Sequence, residues 1–192
     1  MLLKRPLKPL AVLLLTGLLL SGCRLFNRGS GEVVGSVSSQ ALSDGGQLLE
    51  NEAAQIRLAV PDAWESLTEL RPDADIYAAH EADQLYIMVL AEDQGTLSLF
   101  DLADNAEQYR RFIASKLDDY DGETAVGEVQ IDDKSGIQYE IRGSLDGTEL
   151  TYLHTTLEGE DRYYQIIGWT KADRYPNSKA RLQAVIETFQ GT

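Results

Sequence analysis

The segment Leu85-Tyr86-Ile87-Met88-Val89-Leu90-Ala91 is apolar or aromatic at every position. A strand with one wet face alternates polar and apolar residues, whereas a run without alternation has to be covered on both faces. This segment therefore predicts a central strand with other elements packed above and below it. Any architecture for the chain has to supply both covers.

The surrounding pattern supplies candidates. Ile56, Leu58 and Val60 alternate with polar or small neighbours ahead of Pro61, and Ile76 to His80 reads as a second short strand. Ser98 followed by Asp101 predicts a helix start. Leu99, Leu102, Ala106, Tyr109, Ile113 and Leu117 then recur at helical spacing up to the run Asp118-Asp119-Tyr120-Asp121-Gly122, where the glycine predicts the stop. Four more strands are predicted at 125–131, 137–145, 149–157 and 162–170. Asp146-Gly147 signals a two-residue hairpin, and Glu158 to Asp161 forms the next connection.

Taken literally, these loop lengths place Tyr139, His154 and Gln165 in one cross-strand row. Ile141, Tyr152 and Ile167 form the next, and Gly143, Leu150 and Trp169 the third. A final helix at about 178–189 carries Leu182, Val185, Ile186 and Phe189 on one stripe. The expected fold class is α+β: an antiparallel sheet of about six or seven strands flanked by helices, in the order βββα-ββββ-α.

Charge narrows the partners. Against 17 basic residues stand 31 acidic ones, a formal net charge of −14, which excludes functions that depend on neutralising nucleic-acid phosphates. A single cysteine, Cys23, excludes an internal disulfide and a multi-thiolate zinc site.

That cysteine closes a leader. Lys4, Arg5 and Lys8 precede an apolar run from Leu10 to Leu20, too short to span the roughly 20-residue thickness of a bilayer, and Leu20-Ser21-Gly22-Cys23 follows. Leu-Ser-Gly-Cys resembles the lipobox of bacterial lipoproteins. The resemblance implies diacylglycerol on the Cys23 sulfur, removal of residues 1–22, and a fatty acyl chain such as palmitate on the new amino terminus. Two or three chains exceed the marginal single-chain case, so anchoring is expected to be stable. The resemblance further implies outer-membrane delivery, facing the periplasm, because Arg24 stands where an aspartate favours inner-membrane retention. Loss of the three leader cations leaves 14 basic and 31 acidic residues. Lipid rather than a polybasic surface is then expected to hold the protein at the membrane.

Residues 24–47 contain five glycines and five serines, the composition of a flexible linker with a reach of about 30 Å. Residues 48–54 fit either a short helix or the end of that tether. The expected organisation is a signal peptide at 1–22, a lipidated cysteine and tether at 23–52, and one domain at 53–192.

That layout resembles the Mog1/PsbP-like fold, including DcrB-like bacterial lipoproteins, over about Gln55 to Gln190. The marks are Val60-Pro61-Asp62-Ala63-Trp64 closing the first strand, the helix between two antiparallel strand groups, and the terminal Val185-Ile186-Glu187-Thr188-Phe189. Members of that group serve as docking or assembly factors, and the resemblance carries no active-site motif.

The usual nucleophile and phosphate-binding motifs are absent from the sequence. His80 and His154 lie on separate strand candidates, where a satisfied polar residue beside the core is commoner than a metal ligand, even with Glu81 at hand. Asp119, Asp121, Gly122 and Glu128 fall at EF-hand-like spacing, but Leu117 fails the first position and a strand is predicted where a second helix belongs. The acidic pairs Glu92-Asp93, Asp118-Asp119, Asp132-Asp133 and Glu160-Asp161 sit at element ends, as solvated turn residues do. Trp64, Tyr86, Tyr163 and Tyr175 are candidates for an aromatic groove, and Trp64, Tyr139 and His154 for a ligand surface.

The expected function is a membrane-anchored, extracytoplasmic, non-catalytic binding or assembly module of the bacterial cell envelope. It needs no cofactor beyond the covalent lipid, and its expected partner is an envelope protein. The alternative is a small-ligand-binding or hydrolytic periplasmic protein with an aromatic or acidic cleft. A deep pocket bringing together His154, Tyr139 and carboxylates favours the alternative, while a filled core and a flat surface favour the binding module.

Overall fold

The computed structural model describes residues 35–93 and 100–191. The signal peptide, the lipid attachment at Cys23, the tether as far as residue 34 and the helix start at Ser98 lie outside the described residues.

Two antiparallel sheets and two helices make up the fold. The smaller sheet joins β1 (Val37–Ala41), β2 (Gln47–Asn51), β3 (Ile56–Val60) and β11 (Gln190–Gly191), in that order. The larger joins β4 (Glu65–Ser66), β5 (Ile76–His80), β6 (Leu85–Asp93), β10 (Arg162–Lys171), β9 (Thr148–Glu158), β8 (Lys134–Leu145) and β7 (Asp119–Ile131). Helices α1 (Leu102–Ala114) and α2 (Tyr175–Ile186) complete it. No helix among the described residues is long and apolar enough to cross a membrane.

The doubly apolar segment behaves as its composition requires. As β6 it lies between β5 and β10, and Leu85, Ile87 and Val89 enter the main core with Leu182, Val185 and Ile186 of α2 and with Leu49, Ile56 and Leu58 of the small sheet. Its alternate residues Met88 and Leu90 face the other way, against a smaller cluster that includes Tyr109 and Ile113 of α1. One face of the large sheet is thus covered by α2 and the small sheet, the other in part by α1.

Four expectations need correction. First, the tether does not extend to residue 52. Val37–Ala41 pairs with Gln47–Asn51, which pairs in turn with β3. The Gly/Ser-rich composition reads as a linker because β1 is an edge strand whose side chains are mostly exposed. Its anchor lies in its partner, where Leu49 is fully buried. Residues 48–54 likewise form a strand and turn rather than a helix.

Second, α1 closes at Ala114, well before Gly122; at its other end Asp101 caps it, its side chain accepting the Asp104 N–H at 2.9 Å. Asp119 already pairs with Ser144, so sheet pairing overrides the acidic run as a helix end. Gly122 and Gly127 instead take positive φ at the two register shifts of β7, as bulges on an edge strand do.

Third, the row predicted across β8 and β9 is correct, with Tyr139 opposite His154 and Ile141 opposite Tyr152. The β9–β10 pairing is displaced by two residues, so His154 faces Ile167 and Tyr152 faces Trp169. The Gly159 N–H bonds to the Arg162 carbonyl at 2.8 Å, moving the turn one residue along. Because the slip is even, every side chain keeps its face.

Fourth, α2 begins at Tyr175 with Pro176 in its first turn. Phe189 lies past its end, buried, just before β11 pairs with β3. The Asp146-Gly147 turn holds as expected, both residues at positive φ.

Candidate functional site

Because cross-strand neighbours share a face, the actual register assembles a row that the displaced one hid. Tyr86 of β6 lies opposite Trp169 of β10, which lies opposite Tyr152 of β9. Tyr77 of β5 leans in from the adjacent row. Trp169 packs in near-parallel fashion against Tyr86 at 5.4 Å, Tyr77 at 5.9 Å and Tyr152 at 6.1 Å between ring centroids. All four are half-buried, on the part of the α1-side face that the helix leaves open. The result is a continuous aromatic strip.

A cation borders it. Arg71 follows a short helical turn, Thr68–Leu70, and its guanidinium lies 5.8 Å from the Tyr77 centroid and near the Met88 sulfur. Asp73 grips it through two bonds, at 3.1 and 3.2 Å, and this pairing raises the Arg71 pKa. Leu70 beside it is largely exposed, at 70%. Burial raises the phenol pKa values of Tyr77 and Tyr86 and pushes that of Tyr152 up to about 12. These hydroxyls stay protonated at neutral pH, so the strip offers apolar area and neutral hydrogen bonds rather than a nucleophile.

Under α1 lies a second, buried cluster. Gln165 donates its amide hydrogens to Asn105 Oδ1 at 2.7 Å and Glu92 Oε2 at 3.0 Å. Its Oε1 therefore accepts, from Thr156 Oγ1 at 2.8 Å and from His154 Nε2 at 2.9 Å. That orientation fixes the His154 tautomer: Nε2 carries the hydrogen and Nδ1 does not. Nδ1 is buried with no hydrogen-bond partner among the described residues. Burial pushes the His154 pKa down to about 4, against the smaller upward pull of the Gln165 bond. His154 is a neutral, inaccessible residue, stacked beneath Tyr109 at 5.3 Å.

The structure separates the predicted site residues. Trp64 belongs to the main core on the opposite face of the large sheet from His154 and Tyr139, so the three do not form one surface. Tyr139 is half-buried opposite His154, under the Arg110 guanidinium at 4.4 Å. Of the proposed groove, only Tyr86 lies on the strip. Tyr163 is buried and donates to the Phe100 carbonyl at 2.9 Å, and Tyr175 packs in the main core. His80 packs near Trp64 and accepts the Asp83 N–H, on the other face from His154.

Asp119, Asp121, Gly122 and Glu128 lie along one extended strand, which does not wrap around a cation. Among the described residues no cluster of three or more His, Cys, Asp and Glu side chains is placed to hold a metal ion. Two wide-mouthed clefts, of about 410 and 390 Å³, flank the small sheet, and neither is lined by His154, Tyr139 or the strip.

The strip was missed from sequence because it needs the pairing of β6 with β10, segments some seventy residues apart, together with the displaced turn. Its signal was nonetheless present in the alternation of Tyr86 with Met88 and of Ile167 with Trp169.

No protein-family model matches the chain. No curated protein matches it. Among solved structures, the fold is similar to that of the cyanobacterial PsbP (CyanoP) from Synechocystis sp. PCC 6803, at 13% identity and a TM-score of 0.54, covering 88% of this chain and 100% of that one. It is also similar to LpqN, a protein involved in cell envelope biogenesis of Mycobacterium tuberculosis, at 18% identity and a TM-score of 0.53, covering 82% and 91%. The chain has a PsbP/Mog1-like fold.

Proposed function

We propose that this chain is a lipid-anchored, extracytoplasmic lipoprotein of the bacterial cell envelope whose domain binds a partner protein without catalysis. The observation that carries the reading is the aromatic strip of Tyr77, Tyr86, Tyr152 and Trp169, half-exposed beside α1 on the face of the large sheet. Tyr, Trp and Arg are the residues that dominate binding energy at protein interfaces, and Arg71 borders this strip. Leu20-Ser21-Gly22-Cys23 supports the anchor, and Arg24 supports outer-membrane placement facing the periplasm. LpqN's involvement in envelope biogenesis is consistent with such a setting. The hydrolytic alternative calls for polar groups converging in a pocket, whereas His154 is sealed under Tyr109. Tethering would raise the effective concentration of the strip near envelope partners.

The test has two arms. Mass spectrometry of native protein is expected to find an amino-terminal Cys23 carrying diacylglycerol and an acyl chain; an unmodified thiol or an uncut leader refutes the anchor. Capture from envelope extracts is expected to recover a protein whose affinity falls by about 30-fold or more in Trp169→Ala. Capture unchanged by that substitution refutes the strip as the docking surface.

A further inference from the structure

The covers on the two faces of the large sheet are unequal. The α2 side is a broad apolar core that also takes in Leu49, Ile56, Trp64, Tyr164 and Phe189. On the α1 side the apolar cluster centres on the buried Tyr109, Ile113, Ile141 and Ile167, with half-buried neighbours around them. Elements with less buried apolar area open locally at lower free energy than the whole domain.

Polar ties make up part of the difference. Tyr163 holds the Phe100 carbonyl, Gln165 holds Asn105 in the first turn, and Arg110 pairs with Glu123 of β7. At the centre of this seam His154 lies flat beneath Tyr109, with Nε2 committed to Gln165 and Nδ1 bare.

A proton arriving at Nδ1 finds no acceptor there. The groups around the imidazole are the Tyr109 ring and the Arg110 cation of α1, the cross-strand Tyr139 of β8 beneath that cation, and Gln165 and Thr156, whose bonds go to Nε2. The nearby carboxylates are engaged: Glu92 accepts from Gln165, Glu123 pairs with Arg110, and Asp73 grips Arg71. A buried, unpaired imidazolium is strongly unfavourable, and hydration relieves it.

We propose that α1 is an acid-released cover: protonation of His154 at Nδ1 is accommodated by lifting Tyr109, and α1 with it, off an otherwise folded sheet. Release would extend the open face from the aromatic strip across Tyr139, Ile141 and Ile167. The inference goes beyond the docking reading and does not depend on it, since it concerns the seam alone.

Hydrogen exchange on the full chain tests it, with protection factors corrected for intrinsic exchange at each pH. With the His154 pKa near 4 when covered and about 6.5 when hydrated, opening becomes about 50- to 100-fold more favourable from pH 7.5 to 4.5. Amides of α1 are expected to lose protection by that factor and to stay at least about tenfold less protected than those of β6 and β10. In His154→Phe, which keeps a ring under Tyr109, the α1 protection is expected to change by less than about threefold over the same range. Three results overturn the proposal: an essentially flat profile for wild-type α1, protection of α1 and β10 merging at pH 4.5, or an equal drop in His154→Phe. The wild-type profile decides the first two even if the variant fails to fold.

Discussion

Removing residues up to 52, so that the chain begins at Ala53, tests whether the first hairpin belongs to the domain. The structure sets the magnitude. Leu49 is fully buried in the main core, and a truncation to alanine at such a site costs about 3 kcal/mol. Asn51 is also fully buried, donating to the Asp75 carbonyl at 2.9 Å and accepting the Ala54 N–H at 3.1 Å, each bond worth about 1 kcal/mol net. Together these give a loss of about 5 kcal/mol, before counting the ladder that β2 makes with β3. Domains of this size are stable by about 5–15 kcal/mol, so the shortened chain is expected to be marginal or unfolded.

Urea unfolding followed by tryptophan fluorescence provides the assay. Trp64 is a local reporter, since its carbonyl accepts a bond from Gln47 of β2. A chain beginning at Val33 serves as the reference, and Leu49→Ala alone is expected to lower its stability by about 3 kcal/mol with an unchanged m-value. If the chain beginning at Ala53 unfolds within about 1 kcal/mol of the reference, the hairpin is an appendage and the reasoning fails.

Two further outcomes follow from particular residues. His154 has a depressed pKa in the folded state, about 4, so between that value and about 6.5 the unfolded chain binds the extra proton. Stability is therefore full above about pH 6.5 and declines as pH falls toward 4, by up to about 3 kcal/mol, a slope that His154→Phe is expected to remove in urea titrations across that range. Asp101→Ala removes the acceptor for the Asp104 N–H and is expected to cost about 1 kcal/mol of stability, read as a lowered thermal midpoint.

The sequence is most legible where local pattern and tertiary need coincide. The β6 segment declares two covers by its own composition, and the Asp146-Gly147 turn declares both its geometry and the β8–β9 register. Legibility fails where the deciding partner is remote. Val37–Ala41 is polar enough to pass for a linker and becomes a strand because Leu49 beside it is buried. The acidic run after α1 resembles a helix terminus until Ser144 claims Asp119. For the candidate site, His154 and Tyr139 are correctly set side by side, yet the open surface lies on the neighbouring row of rings. Trp64 looks accessible because it follows Pro61 in a loop, and that loop folds it inward.

The pairing of β3 with β11 ties two segments far apart in the sequence, Gln190 opposite Arg57. Phe189, wedged against Tyr164 at 5.0 Å, joins the interior only with that closure. A domain emerging amino-end first thus cannot finish its hydrophobic centre until Phe189 has been delivered. Until that closure the apolar faces of the half-built domain stay uncovered, the state in which bare side chains and unpaired strand edges are most prone to aggregate.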